Sequence, residues 1–122
     1  MPKFIVQEHN ATHLHWDFRL EMNKVLKSWA ITKEPPKDKS AKRLAIQVED
    51  HPLSYANFHG EIKEGYGKGT VKIWDKGDFI LEDKKPKKLV FQLKGKKLKG
   101  KYVLLKTAYG PKKNGWLFFK ID

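Results

Sequence analysis

The chain contains no cysteine. That excludes a disulfide scaffold, a cysteine-ligated zinc site and a thiolate nucleophile, and it fits a reducing compartment. Arginine is nearly absent too: Arg19 and Arg43 are the only two among 26 basic residues, and the rest are lysine. No apolar run approaches the roughly 20 residues of a membrane span. The N-terminal "MPKFIVQEH" holds one lysine and an apolar run too short for a signal peptide. No basic amphipathic helix is evident that would lie on a membrane. These absences lead us to expect a soluble, cytoplasmic protein with no membrane attachment.

Carboxylates are scarce as well, 14 against those 26 cations, for a formal net charge of +12. Such an excess attracts polyanions, nucleic acid first. The plainer reading is a solvated lysine surface of the kind common in heat-adapted proteins. Where lysine is the default cation, two arginines mark places that need a planar fork for an oxyanion.

At 122 residues the chain suits one domain, residues 1–122, with one core. Its hydrophobic period is two, not 3.6. In "LHWDFRLEM", Leu14, Trp16, Phe18 and Leu20 face one way and His13, His15, Asp17, Arg19 and Glu21 the other. In "RLAIQVEDH", Leu44, Ile46 and Val48 read as the core side, opposite Arg43, Ala45, Gln47, Glu49 and His51. "KLVFQLKG", "GKYVLLKTA" and "GWLFFKI" are further strands, rich in β-branched and aromatic residues. "DKGD" (Asp75 to Asp78) and "KKNG" (Lys112 to Gly115) read as hairpin turns. "KEPPKDKSAK", "DKKPKK" and "KGKKLKGK" read as charged connections, and a short helix is expected after "HPLSY". About eight short, mostly antiparallel strands with little helix predict an all-β fold. A closed or nearly closed barrel is favoured over a sandwich because closure removes open edges.

Three of five histidines fall in "EHNATHLHWDFRL". Alternation puts His15, Asp17 and Arg19 on one strand face, roughly 6.5–7 Å apart. The apolar face must be the core side, so this row looks outward or into a groove. His15 and Asp17 have the spacing to converge on one metal ion, and His9 could swing in across the turn-prone "HNAT". Two histidines and a carboxylate suit manganese, iron or zinc with positions left for water or substrate. His13 reads as a solvated side chain.

The segment "RLAIQVEDHPLSY" supplies a second row. Its bland reading is a polar strand face ended by Pro52, with Tyr55 as a cap. Its sharper reading is a phosphate pocket. There Arg43 clamps an oxygen, Tyr55 donates a hydrogen bond, His51 donates a proton or hydrogen bond, and Glu49 orients a neighbour. The G-x-G-x-G around Tyr66 and Lys68 neither follows a clear strand nor opens a helix, so the dinucleotide fingerprint is rejected and a structural turn preferred. Tyr66 is a candidate for stacking on a base. Trp29 and Trp74 read as core or groove wall. No P-loop is present, and carboxylates near the histidines are too few for a two-metal nuclease centre.

H-N-A-T-H-L-H-W-D-F-R-L-E (His9 to Glu21), W-A-I-T-K (Trp29 to Lys33), V-E-D-H-P-L-S-Y (Val48 to Tyr55) and G-Y-G-K-G-T-V-K-I-W-D (Gly65 to Asp75) together resemble the 3′-phosphoesterase domain of bacterial DNA ligase D. The likeness is greatest to free-standing archaeal and bacterial versions, and it covers nearly the whole chain. It implies an eight-stranded barrel with the active site in a groove on one side. It implies a manganese-dependent enzyme, other divalent ions being possible, that heals 3′ ends. A terminal ribonucleoside is removed, and the remaining 3′-phosphate is hydrolysed to a 3′-OH. By position, His9, His15 and Asp17 would hold the metal. Arg19, Lys33, Arg43, His51 and Tyr55 would surround the phosphate, with Glu49 in support. Lys33 lies at the head of "TKEPPKDKSAK", which diverges from the family. The implied partners are primer–template DNA or DNA ending in a ribonucleotide, with ligase and polymerase on separate chains. The lysines along Lys84 to Lys101 would hold the duplex backbone without reading sequence.

Two other readings compete. A non-catalytic nucleic-acid-binding barrel accounts for the charge but not for the aligned histidines. A non-haem iron oxygenase also starts from H-x-D on a barrel, but it needs a distal histidine, for which His51 and His59 are the candidates.

Overall fold

The computed structural model describes residues 2–62 and 68–122. Within them lie β1 (Lys3–Asn10), β2 (Leu14–Met22), β3 (Val25–Ile31), β4 (Lys42–His51), β5 (Gly60–Ile62), β6 (Gly69–Lys85), β7 (Lys88–Lys94), β8 (Lys99–Lys106) and β9 (Gly115–Lys120). Their order is β1-β2-β3-β4-β9-β8-β7-β6, and β6 pairs back on β1. Eight antiparallel strands therefore close a barrel, and β5 adds a short flank to β6. There is no α-helix among the described residues; single 3-10 turns occupy Leu53–Asn57, which begins within the "HPLSY" after which a short helix was expected, and Pro111–Lys113.

The core forms where alternation predicts it on β2, except at the strand's first residue, Leu14, which is 46% exposed. Trp16, Phe18 and Leu20 point inward with Phe4, Val6, Trp29, Phe91 and Phe118. Phe18 sits at the centre, 4.6 Å from Phe118 and 5.9 Å from Phe91 between ring centroids. Rings at such spacing contribute beyond the area they bury. "KKNG" does turn the chain between β8 and β9, with Lys112 and Lys113 both at positive φ.

Two expectations are overturned. "DKGD" is not a turn: Asp75 to Asp78 run inside the 17-residue β6, where that strand passes from pairing β1 to pairing β7. Gly77 is needed there because a Cβ would stand 2.2 Å from the Lys94 carbonyl oxygen. The facing of β4 is also inverted. Ala45 is in the core, whereas Leu44 and Val48 are 43% and 36% exposed. The register explains why: Leu44 pairs with Leu117, and Leu117 with Leu105, so an outward apolar row crosses β4, β9 and β8. The inward side, opposite Trp116, admits only the small Ala45.

The same strand carries a bulge. Ser28 pairs with Val48 but Leu26 pairs with His51, so Glu49 and Asp50 together oppose the single residue Lys27. One extra residue reverses the alternation. His51 therefore joins Val48 on the outer face, and Arg43 stays with Ala45 on the other.

Of the glycine-rich motif, Gly65, Tyr66 and Gly67 lie outside the described residues. Gly69 begins β6 at φ +147°, and a Cβ there would stand 2.1 Å from the Asn10 carbonyl oxygen. Its role is close backbone approach. No helix among the described residues is long and apolar enough to cross a membrane.

Candidate metal centre and cationic pocket

On the outer face of β1, β2 and β3 the odd residues of β1 and β2 meet the even residues of β3. His9 pairs with His15, Gln7 with Asp17, and Arg19 with Ser28. Such a polar row would ordinarily be solvated. Here the turn Leu53–Asn57 folds over it, and His9 and Asp17 are 7% exposed and Arg19 only 3%.

One oxygen, Asp17 Oδ2, gathers three groups: His15 Nε2 at 3.3 Å, Arg19 Nη2 at 3.4 Å and His9 Nδ1 at 3.7 Å. One ligand atom each from His9, His15 and Asp17 lies within 4.8 Å of the others. Donors at about 2.0–2.2 Å from one ion are at most about 4.4 Å apart, and roughly 3.6 Å in a tetrahedral site, so the set closes on an ion with side-chain adjustments of about an ångström. Imidazole, imidazole and carboxylate suit a divalent transition metal. Without one, the charges satisfy each other. Burial pushes the Asp17 carboxyl up, but the His15 hydrogen bond and the Arg19 and histidine charges outweigh it and hold the group below its usual range. The Asp17 hydrogen bond raises the His15 imidazole against the opposing effect of burial.

Arg19 is the hub. Nε donates to Gln7 Oε1 at 2.7 Å, Nη1 to Ser28 Oγ at 2.8 Å and to His51 Nδ1 at 3.1 Å, and Nη2 faces Asp17. Four of five N–H groups thus have protein partners, leaving one on Nη2 for a ligand. Its fork organises the site rather than gripping an oxyanion with two bonds. The guanidinium also lies 4.9 Å from the Tyr55 ring centroid.

His51 Nδ1 has two neighbours, Arg19 Nη1 and the Glu49 carbonyl oxygen, each at 3.1 Å. A proton on Nδ1 suits the carbonyl; a lone pair suits the arginine. Burial, and then the Arg19 charge, lower the affinity of this ring for a second proton. The neutral ring is therefore the favoured form, and the Arg19 contact calls for a lone pair on Nδ1 because a guanidinium can only donate. Its N–H is then on Nε2, available as a donor. Tyr55 packs on His51 at 4.9 Å and stacks on Phe58 at 5.1 Å. Burial raises the Tyr55 phenol, which stays a donor at neutral pH.

The structure brings together His9, His15, Asp17, Arg19, His51 and Tyr55. Arg43 is half-buried with Nε donating to the Glu34 carbonyl at 2.7 Å, and it shares the face of Ala45 rather than that of His51. Lys33 is exposed in the loop that follows β3. Both lie just beyond the Ile31–Ala45 pair, at the rim of β3 and β4. The exposed Glu49 is in the bulge and meets His51 through its backbone, not its carboxylate. His13 is exposed, as expected, with its carbonyl 3.3 Å from His15 Nδ1.

Two buried residues were not anticipated, Gln7 and Ser28, both 0% exposed. Gln7 Nε2 donates to the carbonyls of Tyr55 and Phe58, each at 3.0 Å, and so pins the covering turn. Its position two residues before His9 on one strand was a usable signal; Ser28 needed the β2–β3 register.

The lysines expected to hold a duplex are divided. Lys84 to Lys94 lie on β6, β7 and the turn between them, two and three strands from β2, whereas Lys96 and Lys97 border a cleft beside the covering turn.

Comparison with known proteins places these observations. Residues 7–106 match the family model described as the DNA ligase D 3′-phosphoesterase domain. The chain is 46% identical to the multifunctional non-homologous end joining protein LigD of Pseudomonas aeruginosa over 97% of its length. It is 45% identical, over 85% of its length, to the corresponding repair protein of Mycobacterium tuberculosis, and 39% identical over 94% to that of Mycolicibacterium smegmatis. It spans only 14–16% of those relatives.

Proposed function

Since the chain belongs to the DNA ligase D 3′-phosphoesterase domain family, we propose that it heals the 3′ ends of DNA strands in a divalent-metal-dependent reaction, with manganese the favoured ion. It removes a 3′-terminal ribonucleoside and hydrolyses the 3′-phosphate that remains to a 3′-OH. The observation that carries this reading is the His9, His15 and Asp17 set, closed to within 4.8 Å, beside the buried guanidinium of Arg19.

His9, His15 and Asp17 would hold the ion, which when bound would supply charge neutralisation and an acidified water. Arg19 fixes Asp17 from one side and His51 from the other, and it adds positive charge where the phosphoryl group gains negative charge. His51 donates from Nε2 to a phosphoryl or leaving oxygen, and Tyr55 donates from its hydroxyl. Glu49, as part of the β4 bulge, sets through the backbone the face on which His51 stands. Lys33 and Arg43, at the rim of β3 and β4, hold the strand rather than the reacting group.

The test is a 5′-labelled primer–template ending in one ribonucleotide or in a 3′-phosphate, incubated with and without Mn²⁺. The expected products are one nucleoside shorter, or dephosphorylated, only with metal. His15→Ala should abolish both, and Mn²⁺ should raise the melting temperature of the wild type but not of that variant. A pure binding barrel would keep its DNA affinity in His15→Ala and show no metal-dependent product.

A further inference from the structure

Past Arg19 the outer wall of the barrel continues into a cleft of about 760 Å³. Ile5 and Leu26, 2% and 1% exposed, form its floor. Leu53 and Ala56, from the turn that carries Tyr55, form one wall, and Trp74 stands opposite. Trp74 is the bulged residue of β6, skipped between the Val6–Asp75 and Gln7–Ile73 pairs. The bulge turns this indole out of the strand alternation and leaves it only partly buried, whereas Trp16, Trp29 and Trp116 are all in the core.

The rim is cationic. Lys76, Lys96 and Lys97 border the cleft, and none is in a salt bridge among the described residues. Lys97 Nζ lies 4.4 Å from the Trp74 ring centroid. Lys96 and Lys97 are held there by design of the loop: the buried Asp75 carboxylate accepts the amides of Lys96, Lys97 and Leu98 at 2.8–3.1 Å. That carboxylate is engaged within the fold, and the other carboxylate lining the cleft, Glu21, accepts the backbone amide of Lys3, itself a fourth lysine of the lining. The cleft also lies beside the reactive cluster. Arg19, Ile5 and Lys76 stand in one register row across β2, β1 and β6, so Arg19 and Lys76 backbones are about 10 Å apart.

We propose that this cleft binds a nucleobase of the processed strand, stacked on Trp74, from the nucleotide on the 5′ side of the scissile phosphate. Lys76, Lys96 and Lys97 face the phosphates that precede it. The inference rests on the phosphoesterase reading above. The direction follows from charge. Only the body of the strand supplies further phosphates for three lysines, because nothing charged lies beyond the terminal nucleoside. The second cleft, beside His9, includes Glu8 and Glu61 and suits a polyanion less well.

The experiment uses the full chain, freed of metal by chelation, and a short single-stranded oligonucleotide ending in a 3′-phosphate. Binding should quench tryptophan fluorescence, because Trp74 is the one indole within reach of a ligand. The quench should vanish in Trp74→Phe, and with an oligonucleotide whose residue next to the terminal phosphate is abasic. Trp74→Ala should weaken binding by about 5- to 150-fold, the range for loss of one base–aromatic stack. Lys96→Glu with Lys97→Glu should lower the slope of log affinity against log salt by about 1.4, two single-strand contacts. A quench that ignores the abasic position, an unchanged affinity in Trp74→Ala, or no binding at all would overturn the proposal. Base-dependent quenching without metal-dependent 3′ processing would sink the enzymatic reading and leave the cleft standing. Processing with unchanged kcat/KM in Trp74→Ala would do the reverse.

Discussion

Replacing Gln7 with leucine removes three hydrogen bonds while nearly keeping the side chain's size. Gln7 accepts from Arg19 Nε at 2.7 Å and donates to the Tyr55 and Phe58 carbonyls at 3.0 Å. The two neutral bonds are worth about 1 kcal/mol each net, and the bond to the guanidinium about 1.5–3 kcal/mol. The sum of about 3.5–5 kcal/mol is an upper bound. The Tyr55 carbonyl keeps a second donor, the Phe58 amide at 3.1 Å, and the covering turn is half-exposed so water reaches part of it. A loss of about 3 kcal/mol is expected. With an m-value of roughly 1.5–2 kcal/mol per molar urea, the unfolding midpoint should fall by about 1.5–2 M.

Gln7→Glu separates the two halves of that role. The carboxylate still accepts from Arg19 but cannot donate, and it faces two carbonyl oxygens. The turn should loosen, so the Phe58 amide exchanges faster. The 3′-processing rate should fall while Mn²⁺ still raises the melting temperature, because His9, His15 and Asp17 are untouched. A Gln7→Leu urea midpoint within experimental error of wild type, with unaltered exchange at Phe58, would refute the claim that one buried amide holds both turn and guanidinium.

Two further predictions concern the neighbours of that network. His51 should titrate, by ring NMR, below the ordinary imidazole value, and Arg19→Gln should move its midpoint up because the guanidinium is one cause of the depression. The sign for stability follows. Above an unfolded value of about 6.5 the ring is neutral in both states and contributes nothing; as pH falls from there toward the lower folded value, the unfolded chain takes the proton first and stability drops. Tyr102→Phe should cost about 1–2 kcal/mol, because the fully buried hydroxyl donates to the Pro36 carbonyl at 2.8 Å. The β3–β4 loop that carries Lys33 and the Arg43 partner Glu34 should become more sensitive to protease, and equal cleavage rates in both proteins would count against that tie.

The sequence exposed the parts of this molecule that depend on a strand's own alternation. β2 shows this best: its inward Trp16, Phe18 and Leu20 and its outward His15, Asp17 and Arg19 are both readable from nine residues. His9 was readable because it precedes a short turn, and antiparallel pairing then sets it opposite His15. Properties that depend on two strands together were hidden. Ser28 reaches Arg19 only through the β2–β3 register, and Asp75 meets the amides of Lys96 to Leu98 only because β6 crosses from one neighbour to another. Burial of the polar row was hidden as well, since it depends on a turn more than 30 residues away folding back onto β1.

β4 shows how a right set of residues can follow from a wrong face. Period-two reading put Arg43 and His51 together on a polar side and Leu44, Ile46 and Val48 in the core. The structure reverses the core side, with Ala45 inward, and the bulge at Glu49 and Asp50 then reverses the strand once more before His51. Two inversions return His51 to the outer wall where Arg19 waits, but only one acts on Arg43. The bulge is thus what separates the reacting group from the rim: shortening it by one residue would swing His51 off the outer face and break its 3.1 Å contact with Arg19. Deleting Asp50 should therefore abolish 3′ processing, although it removes no proposed ligand and no catalytic side chain. Retained processing in a folded deletion variant would show that the face of His51 does not matter, and its proposed donor role would fall.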